Sequence, residues 1–348
     1  MPLREAIKSA VEGTHLTRAQ SAAALDSMLE GAAPISQMAA LLVALRIKGE
    51  TPDEIAGAAQ ALRSRAQRVD VSTERLIDTC GTGGDGAHTF NISTAAAFVA
   101  AAGGARVAKH GNRAVSSKCG SADVLAALGV DVELPPERVA ECIGEVGIGF
   151  LFAPKHHAAM RHVAPVRKEL GLRTLFNLLG PLANPAGARR QLLGVYSAAL
   201  VPVMARTLAE LGCDRAFVVH GDGGLDEIST SGATRVAEVR GGTVREFEIT
   251  PEQLGVPRAP LSELRGGDAA ENAGMLRAVL RGEPGAHRSA VLLNAGAALA
   301  AAGVCEEILD GVQLAARAID TGAALDRLER LIQKTGDTLR ISEKGRMP

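Results

Sequence analysis

The apolar positions of residues 3–66 recur with helical spacing, and polar positions fill the gaps between them. Gly31, Pro34, Gly49 and Pro52 interrupt this pattern, because glycine and proline are poorly tolerated inside a helix. The segment is therefore predicted to form about four helices of roughly 8–16 residues each. No cluster of side chains in it suggests chemistry.

Two threonines predict helix starts in this segment, and one apolar stretch predicts a contact surface. Thr17 and Thr51 have the character of N-caps, and Pro52 would then occupy the first helical position. Residues 39–45 are apolar nearly all round. A helix of this kind is expected to be buried against other helices or against a second subunit.

From about residue 73 the pattern changes to an alternation of strands, loops and helices. The predicted strands cover residues 75–79, 106–109, 147–152, 191–196 and 215–220, with helices near residues 94–102, 121–128, 136–145 and 200–211. This alternation predicts a parallel sheet with right-handed crossovers. Two further runs, residues 234–240 and 243–249, flank Gly241 and Gly242 and are predicted to form a β-hairpin.

The predicted fold class is α/β, with a small all-helical N-terminal domain and a larger α/β domain around a mainly parallel central sheet. The helical domain is expected to cover residues 1–70, to be joined by helices from residues 155–185, and to mediate dimerisation. The α/β domain is expected to cover residues 73–345. Residues 268–338 return to helical spacing.

Composition narrows the range of partners. The 348 residues carry 38 basic and 39 acidic side chains, so the net charge of −1 offers no general attraction to nucleic acid or to a membrane surface. The longest apolar runs, residues 95–102 and 289–302, are too short or too interrupted to span a bilayer. With an amphipathic N-terminus unlike a secretory signal, the expectation is a cytoplasmic protein with a small soluble partner.

The five cysteines and the scarcity of aromatic residues exclude further classes. The cysteines are scattered without CxxC spacing, which disfavours a zinc site or a disulfide framework. Aromatic residues make up 2% of the chain, so the core must be aliphatic, and stacking platforms for nucleic-acid bases are not expected.

A glycine-rich loop is the strongest candidate for chemistry. Four glycines lie within residues 81–86, directly after the first predicted strand, and Ser93 and Thr94 open the helix that follows. Glycines let backbone N–H groups approach a ligand, and the N–H groups and dipole of a helix start attract anions. The stretch therefore predicts a binding site for an oligophosphate.

Two familiar phosphate-binding motifs fit this loop poorly. Gly81, Gly83 and Gly86 satisfy the dinucleotide pattern, but that pattern opens its helix at the third glycine and places a carboxylate about 20 residues later. Here the helix opens later, and the next strand ends in Lys109 and His110. The loop also lacks the Gly-Lys-Ser/Thr of a P-loop.

Residues 109–121 form a second candidate segment at the exit of the next strand. They contain three cations, three serines and two glycines. A basic loop is usually only a solvated loop, but the density of serine and glycine among the cations favours a clamp that donates hydrogen bonds to phosphate oxygens.

Taken together, these segments resemble one known family. Residues 78–86, 89–94, 109–117, 119–123 and 225–227 are similar to the signature segments of the anthranilate phosphoribosyltransferases, with similar spacing from about residue 3 to about residue 335. The resemblance implies a homodimer formed through the helical domains, Mg²⁺ as cofactor, and transfer of phosphoribose from 5-phosphoribosyl 1-diphosphate to the amine of anthranilate. That reaction is a step toward tryptophan.

The resemblance also implies roles for individual residues. Contacts to the phosphoribosyl donor are implied for Gly81, Gly83, Gly84, Asp85, Thr89, Asn91, Ile92, Ser93, Thr94, Lys109, Asn112, Ser116, Ser117 and Ser121. Contacts to anthranilate are implied for Gly81, Asn112 and Arg167, with His110 and Pro154 along its wall or route. Magnesium is implied at Ser93, Asp226 and Glu227.

The chemistry accounts for these residue types. The donor carries several negative charges, and its C1–O bond breaks through an oxocarbenium-like state, so neutralising the leaving diphosphate is the main task. Backbone N–H groups of Gly83 and Gly84 are expected to contact the diphosphate directly. Asp85 would be repelled by it, and is expected to orient the loop or to act through water or Mg²⁺.

No strong general base is evident, and the proton acceptor stays open between water and His110. The adjacent His156 and His157 resemble an acid–base or metal pair, but neighbouring residues on a helix point in different directions. Two alternative functions are considered: a pyrimidine nucleoside phosphorylase, which would handle a nucleoside and free phosphate, and a non-catalytic relative that binds nucleic acid. Asn112, Arg113 and the paired Asp226 and Glu227 fit the transferase better.

Overall fold

A computed structural model describes residues 2–114 and 118–344 of the chain. The α-helices are α1 Pro2–Val11, α2 Arg18–Leu29, α3 Ile35–Lys48, α4 Pro52–Ser64, α5 Ile92–Ala102, α6 Ser121–Ala127, α7 Pro136–Glu141, α8 Ala153–His156, α9 Ala164–Leu170, α10 Leu175–Leu179, α11 Leu200–Glu210, α12 Ala269–Leu280, α13 Ala286–Ala301, α14 Ile308–Asp320 and α15 Ala323–Lys344. The strands are β1 Leu76–Gly81, β2 Arg106–Gly111, β3 Ile148–Phe152, β4 Arg190–Gly194, β5 Arg215–Gly221, β6 Thr234–Arg240 and β7 Thr243–Ile249.

The helix starts predicted at two threonines are confirmed. Thr17 caps α2 by accepting a hydrogen bond from the backbone N–H of Gln20, and the Gln20 side chain reciprocates, which closes a capping box. Thr51 and Glu54 form the same arrangement at the start of α4. Glu54 is fully buried, and its carboxylate also accepts from Lys48 at 2.9 Å, so the cap ties α4 to the end of α3.

The seven strands form one sheet in the order β3-β2-β1-β4-β5-β6-β7. The first five of these are parallel, and the predicted hairpin of β6 and β7 completes the sheet in antiparallel fashion. The predicted mainly parallel sheet is therefore confirmed. Because the chain runs outward from β1 to β3 and then returns to β4, the strand order reverses between β1 and β4, where ligands bind in open α/β sheets.

Two apolar cores lie on the two faces of the sheet. One joins the alanine-rich helices α5 and α13 to strands β1, β2 and β3, and residues 95–101 are at most 2% exposed within it. The other joins α1–α4 to α9, α10 and α11. The segment 155–185 thus packs on the N-terminal helices, while the domain limits at residues 1–70 and 73–345 stay predictions.

One predicted helix begins earlier than expected, and another changes its helix type part-way along. Helix α5 begins at Ile92, earlier than expected, because Ile92 itself is buried in the core and extends the apolar face of the helix. The helix predicted for residues 136–145 is α-helical only to Glu141 and continues as a π-helix over Cys142–Val146. Gly147, with φ of +88°, then ends it in the left-handed conformation.

None of the helices in the described ranges is both long enough and apolar enough to cross a lipid bilayer.

Candidate active site

The site is built around Asp226, which lies over the ends of β1 and β4. A Cβ atom on Gly194 would stand 1.5 Å from the Asp226 carbonyl oxygen, and a Cβ on Gly81 would stand 2.3 Å from its carboxylate Oδ2. Both positions therefore need glycine so that the Asp226 segment can approach the sheet. This contact falls at the point where the strand order reverses.

The two predicted carboxylates hold the glycine-rich loop and the start of α5. The N–H of Gly83 donates to Asp226 Oδ2 at 2.8 Å, and the N–H of Ser93 donates to Glu227 Oε1 at 3.1 Å. Asp85 accepts hydrogen bonds from the N–H groups of Ala87 at 3.1 Å and Asp226 at 3.4 Å. The Gly83 N–H, expected to face the diphosphate, is thus engaged by a side chain of the protein itself, and the Asp85 carboxylate connects the glycine-rich loop to the Asp226 backbone.

Negative charge accumulates at this point of the described chain. Desolvation raises the pKa of Asp226, and the neighbouring Asp85 raises it further. Desolvation likewise raises the pKa of Glu227, and Asp226 adds to the rise while Lys109 opposes it. In residues 2–114 and 118–344 there is no group of three or more His, Cys, Asp or Glu side chains arranged to hold a metal ion. The carboxylate oxygens of Asp226 and Glu227 suit Mg²⁺. Proteins usually bind this ion through one or two carboxylates, and water and substrate oxygens complete its coordination shell.

Lys109 is buried near the end of β2. Its ammonium donates to the carbonyl oxygen of Thr79 at 2.5 Å and to Ser93 Oγ at 3.2 Å. Burial lowers the pKa of Lys109, and the carboxylate of Asp78 opposes this effect. The cation therefore lies against the helix start where phosphate oxygens are predicted to bind.

The residues at the start of α5 that are predicted to contact the phosphoribosyl donor differ in how their side chains are hydrogen-bonded. The amide of Asn91 donates to the Cys119 carbonyl oxygen at 3.3 Å and accepts from Asn272 at 2.9 Å. Thr94 Oγ1 is buried and has no hydrogen-bond partner among the described residues, so it can serve a ligand. Ile92 is a core residue, and its side chain is 1% exposed.

Hydrogen bonds to Asn112 connect the two described parts of the predicted clamp, residues 109–114 and 118–121, and the start of α6. The carbonyl oxygen of Asn112 accepts from Ser121 Oγ at 3.3 Å and from the Ala122 N–H at 3.1 Å. Asn112 Oδ1 accepts from the N–H of Arg113 at 2.8 Å. The roles predicted for Ser116 and Ser117 lie outside the described residues.

His110 faces a buried histidine cluster. Its Nδ1 donates to the carbonyl oxygen of Gly180 at 3.1 Å, because a carbonyl can only accept, and this leaves Nε2 as an acceptor with no partner in the described chain. Burial lowers the pKa of His110 to about 3, and His157, whose ring centroid is 5.1 Å away, adds to the effect. A neutral imidazole with so low a pKa is a weak proton acceptor, which favours a role as a wall over a role as base.

His156 and His157 do not act as a pair. His156 Nδ1 donates to the carbonyl oxygen of Gln67 at 2.9 Å, while His157 is buried beside His110. Burial lowers the pKa of His157 to about 4. The expectation that their side chains diverge is confirmed.

Arg167 lies on α9 with a free guanidinium. Its Cζ is 5.5 Å from the ring centroid of Phe176, and burial lowers its pKa. Within the described ranges the guanidinium has no hydrogen-bond or ion-pair partner. Pro154 lies at the start of α8, immediately after β3 ends. An unpaired, partly buried guanidinium is suited to a carboxylate ligand.

Sequence reasoning missed two side chains that organise this site. Asp78, buried in β1, accepts from the His110 N–H at 3.1 Å and from Asn184 Nδ2 at 2.8 Å, and burial raises its pKa to about 6. The sequence feature that could have identified Asp78 is the presence of a carboxylate within an otherwise apolar strand. Arg173 donates to the carbonyl oxygen of Gly84, and its Cζ lies 4.2 Å from the ring centroid of Tyr196. No sequence pattern pointed to that contact.

Comparison with known proteins covers nearly the whole chain. Two family models match it: the "Glycosyl transferase family, helical bundle domain" over residues 4–66 and the "Glycosyl transferase family, a/b domain" over residues 73–325. An anthranilate phosphoribosyltransferase from Anaeromyxobacter sp. (strain K) is 59% identical over 333 residues, which cover 96% of this chain and 98% of the relative. One from Myxococcus xanthus (strain DK1622) is 56% identical over 334 residues, covering 96% and 99%.

Solved structures agree. The crystal structure of anthranilate phosphoribosyltransferase from Thermus thermophilus has a TM-score of 0.91 at 50% identity and covers 95% of this chain and 99% of its own. The enzyme from Saccharomyces cerevisiae in complex with PRPP and Mg has a TM-score of 0.87 at 30% identity, with coverage of 96% and 98%. The chain therefore belongs to the anthranilate phosphoribosyltransferase family.

Proposed function

We propose that this protein transfers the phosphoribosyl group of 5-phosphoribosyl 1-diphosphate to the amine of anthranilate, giving N-(5-phosphoribosyl)anthranilate and diphosphate on the way to tryptophan. The observation that carries the proposal is the convergence of distant segments at one edge of the sheet. Asp226 meets Gly83, Glu227 meets Ser93, and Ser93 meets Lys109, all within hydrogen-bond distance.

In this reaction the C1–O bond of the donor breaks and a C1–N bond forms. The electron pair of the broken bond leaves with diphosphate, and the amine of anthranilate supplies the new pair and afterwards loses a proton. An aniline-type amine needs no prior deprotonation to attack. Water then suffices as proton acceptor, in keeping with the low pKa of His110.

The donor is assigned to the glycine-rich loop and the start of α5. The positive end of the α5 helix dipole stabilises the charge that develops on the leaving diphosphate. The buried Lys109 ammonium adds a positive charge beside Ser93. The residues proposed to contact the donor are Gly81, Gly83, Gly84, Asp85, Thr89, Asn91, Ile92, Ser93, Thr94, Lys109, Asn112, Ser116, Ser117 and Ser121.

Asp226 and Glu227, with the hydroxyl of Ser93, are proposed to hold Mg²⁺. Their fit is supported by the raised pKa values, which reflect carboxylates in need of a counter-charge. The ion, when bound, supplies charge neutralisation for the diphosphate. Asp226 also orders the glycine-rich loop, because its carboxylate accepts a hydrogen bond from the Gly83 N–H.

The residues proposed to contact anthranilate lie on α9, at the ends of β1 and β2, and just after β3. Arg167 is proposed to bind its carboxylate, and Gly81, Asn112, His110 and Pro154 to line the ring. The neutral imidazole of His110 suits an apolar ring better than a charged one would, because a buried cation without a partner is costly.

A homodimer is proposed through an apolar surface on α1 and α3. Val11, Ile35 and Ile47 are 71%, 50% and 82% exposed. Val11 and Ile47 border a groove of about 430 Å³ that Ala39 and Val43 also line. Exposed apolar area of this kind favours a second copy. In sedimentation, Ile47→Asp should give a monomer and Leu309→Asp, at a surface residue of α14, should not. A dimer that survives Ile47→Asp would exclude this surface.

A cytoplasmic location is proposed as well. None of the five cysteines forms a disulfide bond in the described part of the chain, as expected in a reducing compartment. Fractionation of cells would test this assignment.

The deciding experiment follows the fluorescence of anthranilate in the presence of 5-phosphoribosyl 1-diphosphate, with and without Mg²⁺. Loss of anthranilate fluorescence that needs both the donor and Mg²⁺ is expected. If anthranilate persists while a pyrimidine nucleoside is cleaved by phosphate, the protein is a phosphorylase instead.

A further inference from the structure

Arg173 connects the helical segment to the glycine-rich loop. It lies between α9 and α10, and its guanidinium donates a hydrogen bond to the carbonyl oxygen of Gly84, 89 residues earlier in the chain. Within the described ranges, no other side chain donates to a backbone oxygen of residues 82–86. The loop that is proposed to hold the diphosphate is therefore restrained from the side of the helices.

The guanidinium also lies against an aromatic ring. Its Cζ is 4.2 Å from the ring centroid of Tyr196. The backbone of Tyr196 is fixed to the same loop, because its N–H donates to Thr82 Oγ1 at 3.1 Å and the Thr82 N–H donates to the carbonyl oxygen of Gly194 at 2.9 Å. The cation–π contact therefore holds the otherwise exposed Arg173 side chain close to the loop.

The backbone next to Arg173 is held firmly by the helical segment. The Thr174 N–H donates to Asn177 Oδ1 at 3.0 Å, and the Asn177 N–H donates to the Thr174 carbonyl oxygen at 2.9 Å, which fixes the start of α10. Leu175 and Phe176 follow, and each is 3% exposed in the core shared with α1–α4. Arg173 thus extends from a packed helix start to a loop.

The hydrogen bond to Gly84 also sets the direction of a peptide N–H. The peptide between Gly84 and Asp85 is planar and trans, so its N–H points opposite to its C=O. Because the Gly84 oxygen is turned toward Arg173, the Asp85 N–H points away from it. No acceptor among the described residues engages this N–H. A free N–H group in a glycine-rich loop is suited to an anion.

This geometry gives Asp85 a contact with the diphosphate that its side chain could not make. The Asp85 carboxylate accepts from the N–H groups of Ala87 and Asp226, so it is committed to the loop. Its backbone N–H can still donate to a diphosphate oxygen. Glycine at position 84, with φ of +73°, leaves the peptide free to rotate, so a group outside the loop must keep it in one orientation.

We propose that Arg173 is a positioning residue for the phosphoribosyl donor, and that it holds the Gly84 carbonyl so that the Asp85 N–H faces the diphosphate. The assignment rests on the proposed function and adds to it a residue that does not touch the substrate. Arg167, on the preceding helix α9, is proposed to bind the carboxylate of anthranilate directly. Because Arg173 acts through the glycine-rich loop, its loss should affect the donor and leave anthranilate binding intact.

The test compares Arg173→Ala with Arg206→Ala in the full-length protein. Arg206 is exposed on α11 and has no side-chain partner among the described residues, so its loss controls for the change in net charge. Calorimetric titration with magnesium diphosphate should show affinity reduced about tenfold in Arg173→Ala and unchanged in Arg206→Ala. Arg173→Lys keeps a positive charge and N–H donors, and should recover part of the affinity.

Turnover separates positioning of the donor from a general structural effect. In Arg173→Ala the KM for the donor should rise about tenfold, while the KM for anthranilate should stay within about twofold of wild type. A further measurement needs no ligand: amide hydrogen exchange of residues 81–88 should be faster in Arg173→Ala than in wild type, because the loop has lost a restraint.

Three results would overturn the assignment. They are equal affinity of wild type and Arg173→Ala for magnesium diphosphate, an equal rise in the KM values for donor and anthranilate, and no recovery of affinity in Arg173→Lys. A wild type that consumes no anthranilate would instead count against the proposed function. Hydrogen exchange would still judge the restraint, and equal exchange of residues 81–88 in wild type and Arg173→Ala would exclude it.

Discussion

Replacing Gly81 by alanine should displace the proposed metal-binding carboxylate without disturbing the backbone around it. Gly81 is not among the glycines with positive φ, so alanine can adopt its conformation. The added Cβ would stand 2.3 Å from Asp226 Oδ2, closer than real Cβ contacts come, so the carboxylate must retreat by about 1 Å. That retreat breaks or lengthens the 2.8 Å hydrogen bond from the Gly83 N–H.

The size of the effect follows from these two changes. A hydrogen bond to a charged group contributes about 1.5–3 kcal/mol, and a displacement of about 1 Å at a reacting centre can cost about 100-fold in rate. We expect the Gly81→Ala variant to need a higher Mg²⁺ concentration for half-maximal activity and to lose about 100-fold in kcat/KM at fixed Mg²⁺. The thermal midpoint should shift by no more than about 3 °C, because a flexible side-chain end can move at small cost.

The assay is a magnesium titration of anthranilate consumption, with Gly86→Ala as the matched control. Gly86 has φ of +78° and open space around its Cβ position, so alanine there adds backbone strain and touches no carboxylate. The control should lose stability and keep its Mg²⁺ dependence. An unchanged magnesium curve and unchanged kcat/KM in Gly81→Ala would refute the steric reasoning and the place of Asp226 in the site.

Three further outcomes follow from the geometry. Replacing both Asp226 and Glu227 by alanine should abolish Mg²⁺-dependent turnover, measured by anthranilate fluorescence. Arg167→Ala should raise the KM for anthranilate at least about tenfold and leave the KM for the donor within about twofold, since it removes only a carboxylate partner. The folded protein holds the pKa of His157 near 4, below the unfolded value near 6.5, so its burial stabilises the fold above pH 6.5 and loses that contribution as pH falls toward 4. The stability difference between wild type and His157→Asn, from urea unfolding, should accordingly shrink by about 3 kcal/mol between pH 7 and pH 4.

Each outcome has a contrary result, and the arginine and histidine experiments also have a control. Lys168→Ala changes the exposed neighbour of Arg167 and should leave both KM values unchanged; equal losses for anthranilate and donor in Arg167→Ala would contradict its role. Retained Mg²⁺-dependent turnover in the double alanine variant would exclude the carboxylates as the metal site. Burial raises the pKa of Asp78 to about 6, so its contribution to the free energy of unfolding changes in the same pH range but in the opposite direction. Because Asp78 is present in both wild type and His157→Asn, this contribution cancels in the difference between them. A difference that stays constant with pH would show that His157 does not titrate as described.

Local sequence signals were sufficient for most of the fold. The β6–β7 hairpin was predicted because Gly241 and Gly242 separate two strand-like runs, and β1 to β5 were predicted because apolar runs alternate with helical spacing. Boundaries failed where tertiary burial decided them. Ile92 continues the buried face of α5, so the helix starts before the small residues that the sequence pattern favoured.

The site was predictable only as a set of segments. The hydrogen bond between Gly83 and Asp226 joins positions 143 residues apart, and no local pattern records which carboxylate meets which loop. The clamp prediction included Lys109 but not its burial, which is tolerable because the buried Asp78 offsets part of its desolvation. Arg173 escaped notice because its partner is a backbone carbonyl, which any residue would provide.

Glycine at position 81 shows why motif reading and structure can agree on a residue and differ on its role. In the sequence, glycine at position 81 indicates room for a ligand. In the structure it leaves room for the protein's own Asp226, and Gly194 on the neighbouring strand does the same. The two roles make different demands. Room for the donor predicts that alanine weakens donor binding at any Mg²⁺ concentration, while room for Asp226 predicts a defect that added Mg²⁺ partly restores. Restoration by Mg²⁺ in Gly81→Ala would therefore assign the glycine to the carboxylate rather than to the donor.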